Sequence, residues 1–396
     1  MTQGVALAHD YATQRGGAER VALLLAEAFP GSPMYTTLYD PAGTFPEFDG
    51  VELRTSALDR LSMLRRHHRV ALPFLAPAVD RQRVEADVLL ASSTGWAHGY
   101  RGARRTVVYC HAPARWLYQR DRYLGLAEGS ATHRARRRAA AAALGLLSPA
   151  LRRWDGAAAR RADVYLANST VTQRAIRDAY GIEAEVLPPP PAMLPEGEER
   201  ALPGVEPGFL LCVARLLPYK NVDVVVEAAQ ETGRELVVVG DGPDRARLEA
   251  LAARTTAPSG RAAPGRVHLL GRVDDATLRW VYANASALVA ASYEDYGLSP
   301  LEAGAFGRPS VVLRDGGYLD TVAEDVTGVF FDAPRADLVA QAIEAAVARP
   351  WDDGAVTAHV ATFGRERFVE RLRGVVAEQQ DRTVSAGRPG GGRAQR

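Results

Sequence analysis

Short apolar runs alternate with helical stretches along this chain, and the alternation occurs twice, on either side of one proline-rich segment. Val5-Ala6-Leu7-Ala8, Val88-Leu89-Leu90-Ala91, Thr106-Val107-Val108-Tyr109-Cys110 and Val164-Tyr165-Leu166-Ala167 come first. Such runs carry no polar alternation, so they suit strands covered on both faces, as in parallel sheets. Each ends in a polar turn, where open α/β sheets place their ligand contacts. Gly16-Gly17 follows the first run and opens a helix predicted over Ala18 to Ala28. After Pro188 to Pro207, which begins with four consecutive prolines, the pattern restarts at Phe209-Leu210-Leu211-Cys212-Val213. Further runs lie at Leu236–Val239, Val267–Leu270, Ala287–Ala290 and Ser310–Leu313, with helices over Val222 to Ala229 and Pro300 to Phe306. The rhythm predicts two parallel-sheet α/β domains, an arrangement suited to binding a substrate in a cleft. The expected bounds are 1–195 for the first domain, 196–207 for an extended linker and 208–365 for the second. A C-terminal helix over 366–382 is expected to return to the first domain, and a Gly/Arg-rich tail over 383–396 to be disordered.

At 396 residues the chain is long enough for two cores. A net charge of +1 excludes a dedicated nucleic-acid binder. The first 195 residues nevertheless hold 25 arginines against 18 acids, an excess of seven that fits anionic ligands or an anionic membrane surface. Cys110 and Cys212 lie at or next to the end of apolar runs and form no disulfide framework, which fits a reduced, cytoplasmic protein. The start lacks the charged and apolar regions of a signal peptide, and no apolar run is long enough to span a bilayer. Two basic stretches, Arg60 to Arg69 and Arg134 to Arg138, suit peripheral docking on the inner face of the cell membrane or, equally, a solvated helix face.

Of 48 basic side chains only one is lysine, Lys220, against 47 arginines. It lies five residues after Arg215 on the turn that follows Val213. A guanidinium fork and a compact ammonium at that spacing can grip a pyrophosphate; a solvated basic loop is the plain alternative. The second constellation is Glu294-Asp295-Tyr296-Gly297-Leu298-Ser299-Pro300-Leu301-Glu302. Ser299 reads as an N-cap and Pro300 as the first helical turn, so the amides of Gly297, Leu298 and Ser299 would face an anion. Glu294 on the loop would accept from sugar hydroxyls, and Glu302 from a ribose diol; otherwise both merely favour the helix dipole. Gly16-Gly17 would let backbone approach a phosphate, as many structural turns also do. His111 closes its strand and either faces a reacting centre or bonds a backbone carbonyl. Gly240-Asp241-Gly242-Pro243-Asp244-Arg245 has Arg245 where a dinucleotide fingerprint needs glycine, and reads as a structural turn. With no Asp-X-Asp and no clustered ligands, neither a metal nor another cofactor is expected.

Arg215-Leu216 with Tyr219-Lys220, the Gly240–Pro243 turn and the Glu294–Glu302 string together resemble the retaining family 4 (group 1) glycosyltransferases of GT-B fold. Within that family, Cys110-His111-Ala112-Pro113-Ala114-Arg115-Trp116 and Leu151–Asp155 resemble O-antigen-type mannosyltransferases. The resemblance implies two Rossmann-like domains facing each other across a cleft, and retention by front-face attack. It implies that Gly17, Arg215 and Lys220 bind the donor diphosphate, and that Glu294, Gly297, Leu298 and Ser299 hold the transferred sugar. Glu302 would take the ribose, the main chain at Arg272-Val273 the base, and His111 a place by the donor sugar. The implied partners are a nucleotide sugar, GDP-mannose or a UDP-sugar, and a glycan or lipid-linked acceptor. Asp320 departs from the pattern, standing where relatives commonly have glutamate.

Overall fold

The apolar runs form thirteen strands in two sheets among the described residues, which in this computed structural model are 4–66, 68–118, 148–254 and 265–386. Contacts divide the chain between Pro189 and Pro190, and the helix Arg365–Ala386 belongs with the first unit.

The first unit holds β1 (Val5–His9), β2 (Met34–Thr36), β3 (Leu53–Thr55), β4 (Val88–Ser93), β5 (Arg105–Cys110), β6 (Val164–Ala167) and β7 (Glu185–Val186). They order as β3-β2-β1-β4-β5-β6-β7 with every pairing parallel. All six residues of β4 are buried, because helices cover both faces of the sheet. On one face the cover includes Phe368, Leu372, Val375 and Val376, which share a core with Leu7, Leu90, Tyr109 and Leu166. Their spacing marks one stripe of the helix Arg365–Ala386. The ring of Phe368 meets that of Tyr109 edge-on at 5.5 Å. Arg371 adds a two-pronged ion pair to Glu185 at 2.7 and 2.6 Å.

The second unit holds β8 (Leu210–Val213), β9 (Leu236–Val239), β10 (Val267–Gly271), β11 (Ala287–Ala290), β12 (Ser310–Leu313) and β13 (Gly328–Phe331), in the order β10-β9-β8-β11-β12-β13. Again all pairings are parallel. Both sheets are doubly wound, and strand order reverses between β1 and β4 and between β8 and β11. Ligands of such sheets gather at the carboxyl ends of the strands beside that reversal.

Three expectations need correction. The stretch 196–207 is no free linker. Its Arg200 amide donates to Ala276 O at 3.0 Å, and its Val205 is buried in the core of Phe209 and Tyr282. The prolines extend the chain, but the apolar side chains among them still find a core. The C-terminal helix runs from Arg365 to Ala386, past the expected end at 382, because buried positions continue through Gln379 and Thr383. Residues 387–396 of the tail lie outside the described residues. Ser299 is not an N-cap: the helix begins at Leu298, capped by Gly297 in the left-handed region at φ +86°. A Cβ at Gly297 would come within 2.6 Å of the Tyr318 ring, so the turn requires glycine there.

Candidate functional site

The structure places Arg215, Lys220, Val273, Glu294, Gly297, Leu298, Ser299 and Glu302 in the second unit, and Gly17 and His111 in the first. In the second unit the turn after β8 and the loop after β11 meet, because those strands are neighbours in the sheet. Lys220 closes a short 3-10 turn, Pro218–Lys220, and its ammonium pairs with the Glu294 carboxylate. The two side chains are 11% and 23% exposed, so the pair is largely withdrawn from water. The Ser292 hydroxyl donates to the same Glu294 oxygen at 2.6 Å. Asn221, in the left-handed region at φ 52°, fixes the turn by donating from Nδ2 to Ala291 O at 2.9 Å. Arg215 lies exposed on the same turn. The turn is shaped from behind by Gly240, at φ +133°, where a Cβ would fall 1.9 Å from Ala214 O. The glycines at 240 and 242 thus serve close backbone packing.

Beyond Glu294 the chain bends through Gly297 into the helix Leu298–Ala305, whose first amides are those of Leu298 and Ser299. That end of a helix favours negative charge. Glu302 sits four residues into this helix and accepts a hydrogen bond from Tyr282 Oη at 2.7 Å. Tyr282 is fully buried, its phenol pushed far above its ordinary pKa by desolvation, and it stacks on Phe306 at 5.6 Å. A carboxylate held by a rigid phenol is aimed before any ligand arrives. Val273 is half-buried against the core that includes Tyr282.

In the first unit Gly17 is the exposed first residue of the helix Gly17–Ala28, with Gly16 as its cap. His111 follows β5 and is 7% exposed. Burial, helped by the charges of His9 and Arg115, pushes its imidazole down to about 3, so it is neutral near pH 7. Its Nε2 lies 2.8 Å from Ser92 Oγ, and its own carbonyl accepts from Thr172 Oγ1 at 3.1 Å. The ring is therefore held by a hydroxyl and not by the backbone carbonyl considered as its alternative. His9, Ser92, Ser292, Tyr282 and Tyr318 were not legible as site residues. Their one available signal is position, since His9 ends β1, Ser92 is next to last in β4 and Ser292 follows β11.

Of the two basic stretches, Arg134 to Arg138 lies outside the described residues. In the other, Leu64 is buried while Leu61 and Met63 are 55% and 59% exposed beside the exposed Arg66. Among the described residues no group of three or more metal-binding side chains occurs, and no helix is long and apolar enough to cross a membrane.

Comparison with known proteins finds two family models, one in each half of the chain. The model described as Glycosyl transferases group 1 matches residues 198–356, and the model described as Glycosyltransferase Family 4 matches residues 15–190. Each half of the chain is thus similar to a glycosyltransferase family, neither match reaching half of its length. A glycogen synthase of Pseudomonas aeruginosa is 33% identical over 154 residues, 36% of this chain and 28% of that protein. The D-rhamnosyltransferase WbpZ of the same organism is 32% identical over 135 residues, 33% of each chain. The matched part thus spans a third or less of these curated relatives. Among solved structures, HepE of Anabaena in complex with UDP superposes with a TM-score of 0.63 at 16% identity, over 95% of this chain and 100% of that one. Sucrose-phosphate synthase from Thermosynechococcus elongatus gives 0.60 at 19%, over 98% and 100%. At these identities the likeness is one of fold, the GT-B fold of two Rossmann-like domains.

Proposed function

We propose that this glycosyltransferase moves a hexose from a nucleoside-diphosphate sugar to a hydroxyl of a glycan or lipid-linked acceptor, with retention and without a metal ion. The observation that carries the reading is the meeting of Lys220 and Glu294 beside the helix Leu298–Ala305, with Glu302 aimed by Tyr282 on that helix. In the reaction the bond from the anomeric carbon to the phosphate oxygen breaks and a bond to the acceptor oxygen forms. The acceptor's proton passes to the departing phosphate oxygen, which is gaining charge. Arg215, Lys220 and the helix amides oppose that charge, stabilising the transition state more than the ground state. Lys220 reaches the diphosphate by leaving or sharing Glu294, whose carboxylate then accepts from sugar hydroxyls. Glu302 takes the ribose diol, the main chain at Val273 the base, and His111 contacts the donor sugar. No carboxylate serves as a nucleophile, in contrast to retaining hydrolases.

Mannose from GDP-mannose is the first donor, on the strength of the Cys110–Trp116 and Leu151–Asp155 strings. A UDP-sugar is the second, since a protein of the same fold binds UDP and UDP-glucose. A thermal-shift panel of GDP-, UDP- and dTDP-sugars tests both, because a ligand at a hundred times its Kd adds about 2.7 kcal/mol of stability. A shift with GDP-mannose alone supports the first reading; no shift with any nucleotide sugar refutes the function. The protein is further proposed to work in the cytoplasm at the membrane's inner face, docked through the exposed Leu61 and Met63, with Arg65 and Arg66 next to them in the chain. Replacing Arg65 and Arg66 by glutamate should abolish co-sedimentation with anionic vesicles, and unchanged sedimentation would leave these arginines as a solvated face.

A further inference from the structure

The reversal point of the first sheet holds a buried polar chain that ends at His111 and includes two residues, His9 and Ser92, with no part in the proposed transfer. Parallel register sets His9 of β1 opposite Ser92 of β4, and β5 brings His111 alongside. Ser92 Oγ lies 3.0 Å from His9 Nδ1 and 2.8 Å from His111 Nε2, and the three residues are 2%, 0% and 7% exposed. One hydroxyl therefore joins two imidazoles.

A hydroxyl owns a single proton. Ser92 can donate to only one ring, and with the two imidazoles as the partners of its hydroxyl it donates to one and accepts from the other. Burial lowers the pKa of both histidines; the Asp10 charge and a hydrogen bond to the Ser92 backbone oppose this at His9, and the His9 and Arg115 charges assist it at His111. Two neutral rings allow two directions for the chain. In one, His111 Nε2–H donates to Ser92, which donates to His9 Nδ1, leaving the His9 proton on Nε2. That atom is buried and has no hydrogen-bond partner among the described residues. Asp10 does not serve it, for its carboxylate is taken by the amides of Thr94, Trp96 and Ala97 at 2.5, 3.1 and 2.6 Å. This direction strands a buried N–H. The opposite direction strands only an imidazole lone pair, the smaller penalty. The proton of His9 then sits on Nδ1 and points to Ser92, and Ser92 points to His111 Nε2.

We infer that His9 and Ser92 are positioning residues that hold His111 as its neutral Nδ1–H tautomer, so that His111 offers the substrate a hydrogen-bond donor and not a base. The inference rests on the glycosyltransferase reading only in naming the substrate; the tautomer itself is a property of the free protein. A base is not required of His111, because the leaving phosphate takes the acceptor's proton. A fixed N–H aimed at a sugar hydroxyl supplies orientation instead.

The test is long-range proton–nitrogen NMR on protein labelled at its eight histidines, with the His111 signals assigned by their loss in His111→Gln. Near pH 7 the wild type should show a protonated Nδ1 and a bare Nε2 at His111. Ser92→Ala should let the Nε2–H form appear, and Ser92→Thr should restore the original pattern. Turnover in Ser92→Ala should fall about tenfold with donor KM within about twofold, the signature of a lost orienting bond. Should Ser92→Ala fold poorly, His9→Phe reads the same relay from its other end. A protonated Nε2 at His111 in the wild type, or a tautomer indifferent to Ser92→Ala, would overturn the inference. Failure of every nucleotide sugar to bind would instead remove the proposed function and leave the tautomer result standing.

Discussion

Replacing Lys220 by alanine separates a role in chemistry from a role in stability. Breaking a fully buried ion pair by removing one partner costs about 3–5 kcal/mol. The Lys220–Glu294 pair falls short of that limit, because the Glu294 side chain is 23% exposed and keeps its 2.6 Å hydrogen bond from Ser292. A loss of about 1–2 kcal/mol follows, which for a unit of this size lowers Tm by roughly 2–8 °C. Function should suffer more. A charge-assisted hydrogen bond to the diphosphate contributes about 1.5–3 kcal/mol, so donor affinity should drop roughly 10- to 150-fold. Turnover should fall by a further factor of about 10² to 10³, because the lost cation faces charge that develops only as the leaving group departs. With Lys220 gone, Glu294 also presents an uncompensated carboxylate near the diphosphate. Adding Glu294→Gln to Lys220→Ala should therefore recover part of the donor affinity but little of the turnover. Calorimetric titration with the nucleoside diphosphate, a thermal melt and single-turnover transfer of a labelled sugar measure the three quantities. Transfer within about threefold of wild type in Lys220→Ala, despite the expected fall in Tm, would refute the phosphate-clamp reasoning.

Two further outcomes follow from the same geometry. Tyr282→Phe removes only the phenol that aims Glu302, so donor KM should rise roughly fivefold, about 1 kcal/mol, with kcat unchanged; an equal fall in kcat would place Glu302 at the reacting centre. Stability should decline on acidification, because His111 titrates near 3 when folded and near 6.5 when unfolded. Between those values the unfolded chain binds the extra proton, so stability is complete above pH 6.5 and falls by about 1.4 kcal/mol per pH unit for this histidine. His9, shifted in the same direction by burial, steepens the slope. Melts of wild type and His111→Gln from pH 7.5 to 4.5 should diverge, the variant losing less; parallel curves would show that His111 does not carry the effect.

The residues of the proposed donor site stand out in the sequence because local chemistry marks them. A lone lysine five places from an arginine, and two glutamates around a Gly-Leu-Ser-Pro turn, stand out in any linear reading. Their assembly was not legible. Lys220 and Glu294 are 74 positions apart, and only the adjacency of β8 and β11 makes them a pair. Ser299 was misread as a cap for a related reason. The sequence favours serine before proline, but the decisive fact is the Tyr318 ring lying where a side chain at 297 would go.

The alternation of apolar runs and helices determined by itself that this chain folds as two parallel, doubly wound sheets, because buried parallel strands admit little else. The strand ends then had to carry the polar chemistry, and the motifs named which residues. What the tertiary structure decided is contact between strand ends far apart in the chain. It set Glu294 against the single lysine, aimed Glu302 with Tyr282, returned the helix Arg365–Ala386 to the first unit, and placed one serine hydroxyl between His9 and His111. Parallel register fixes those meetings, and register is a property of the sheet, which no stretch of sequence states alone.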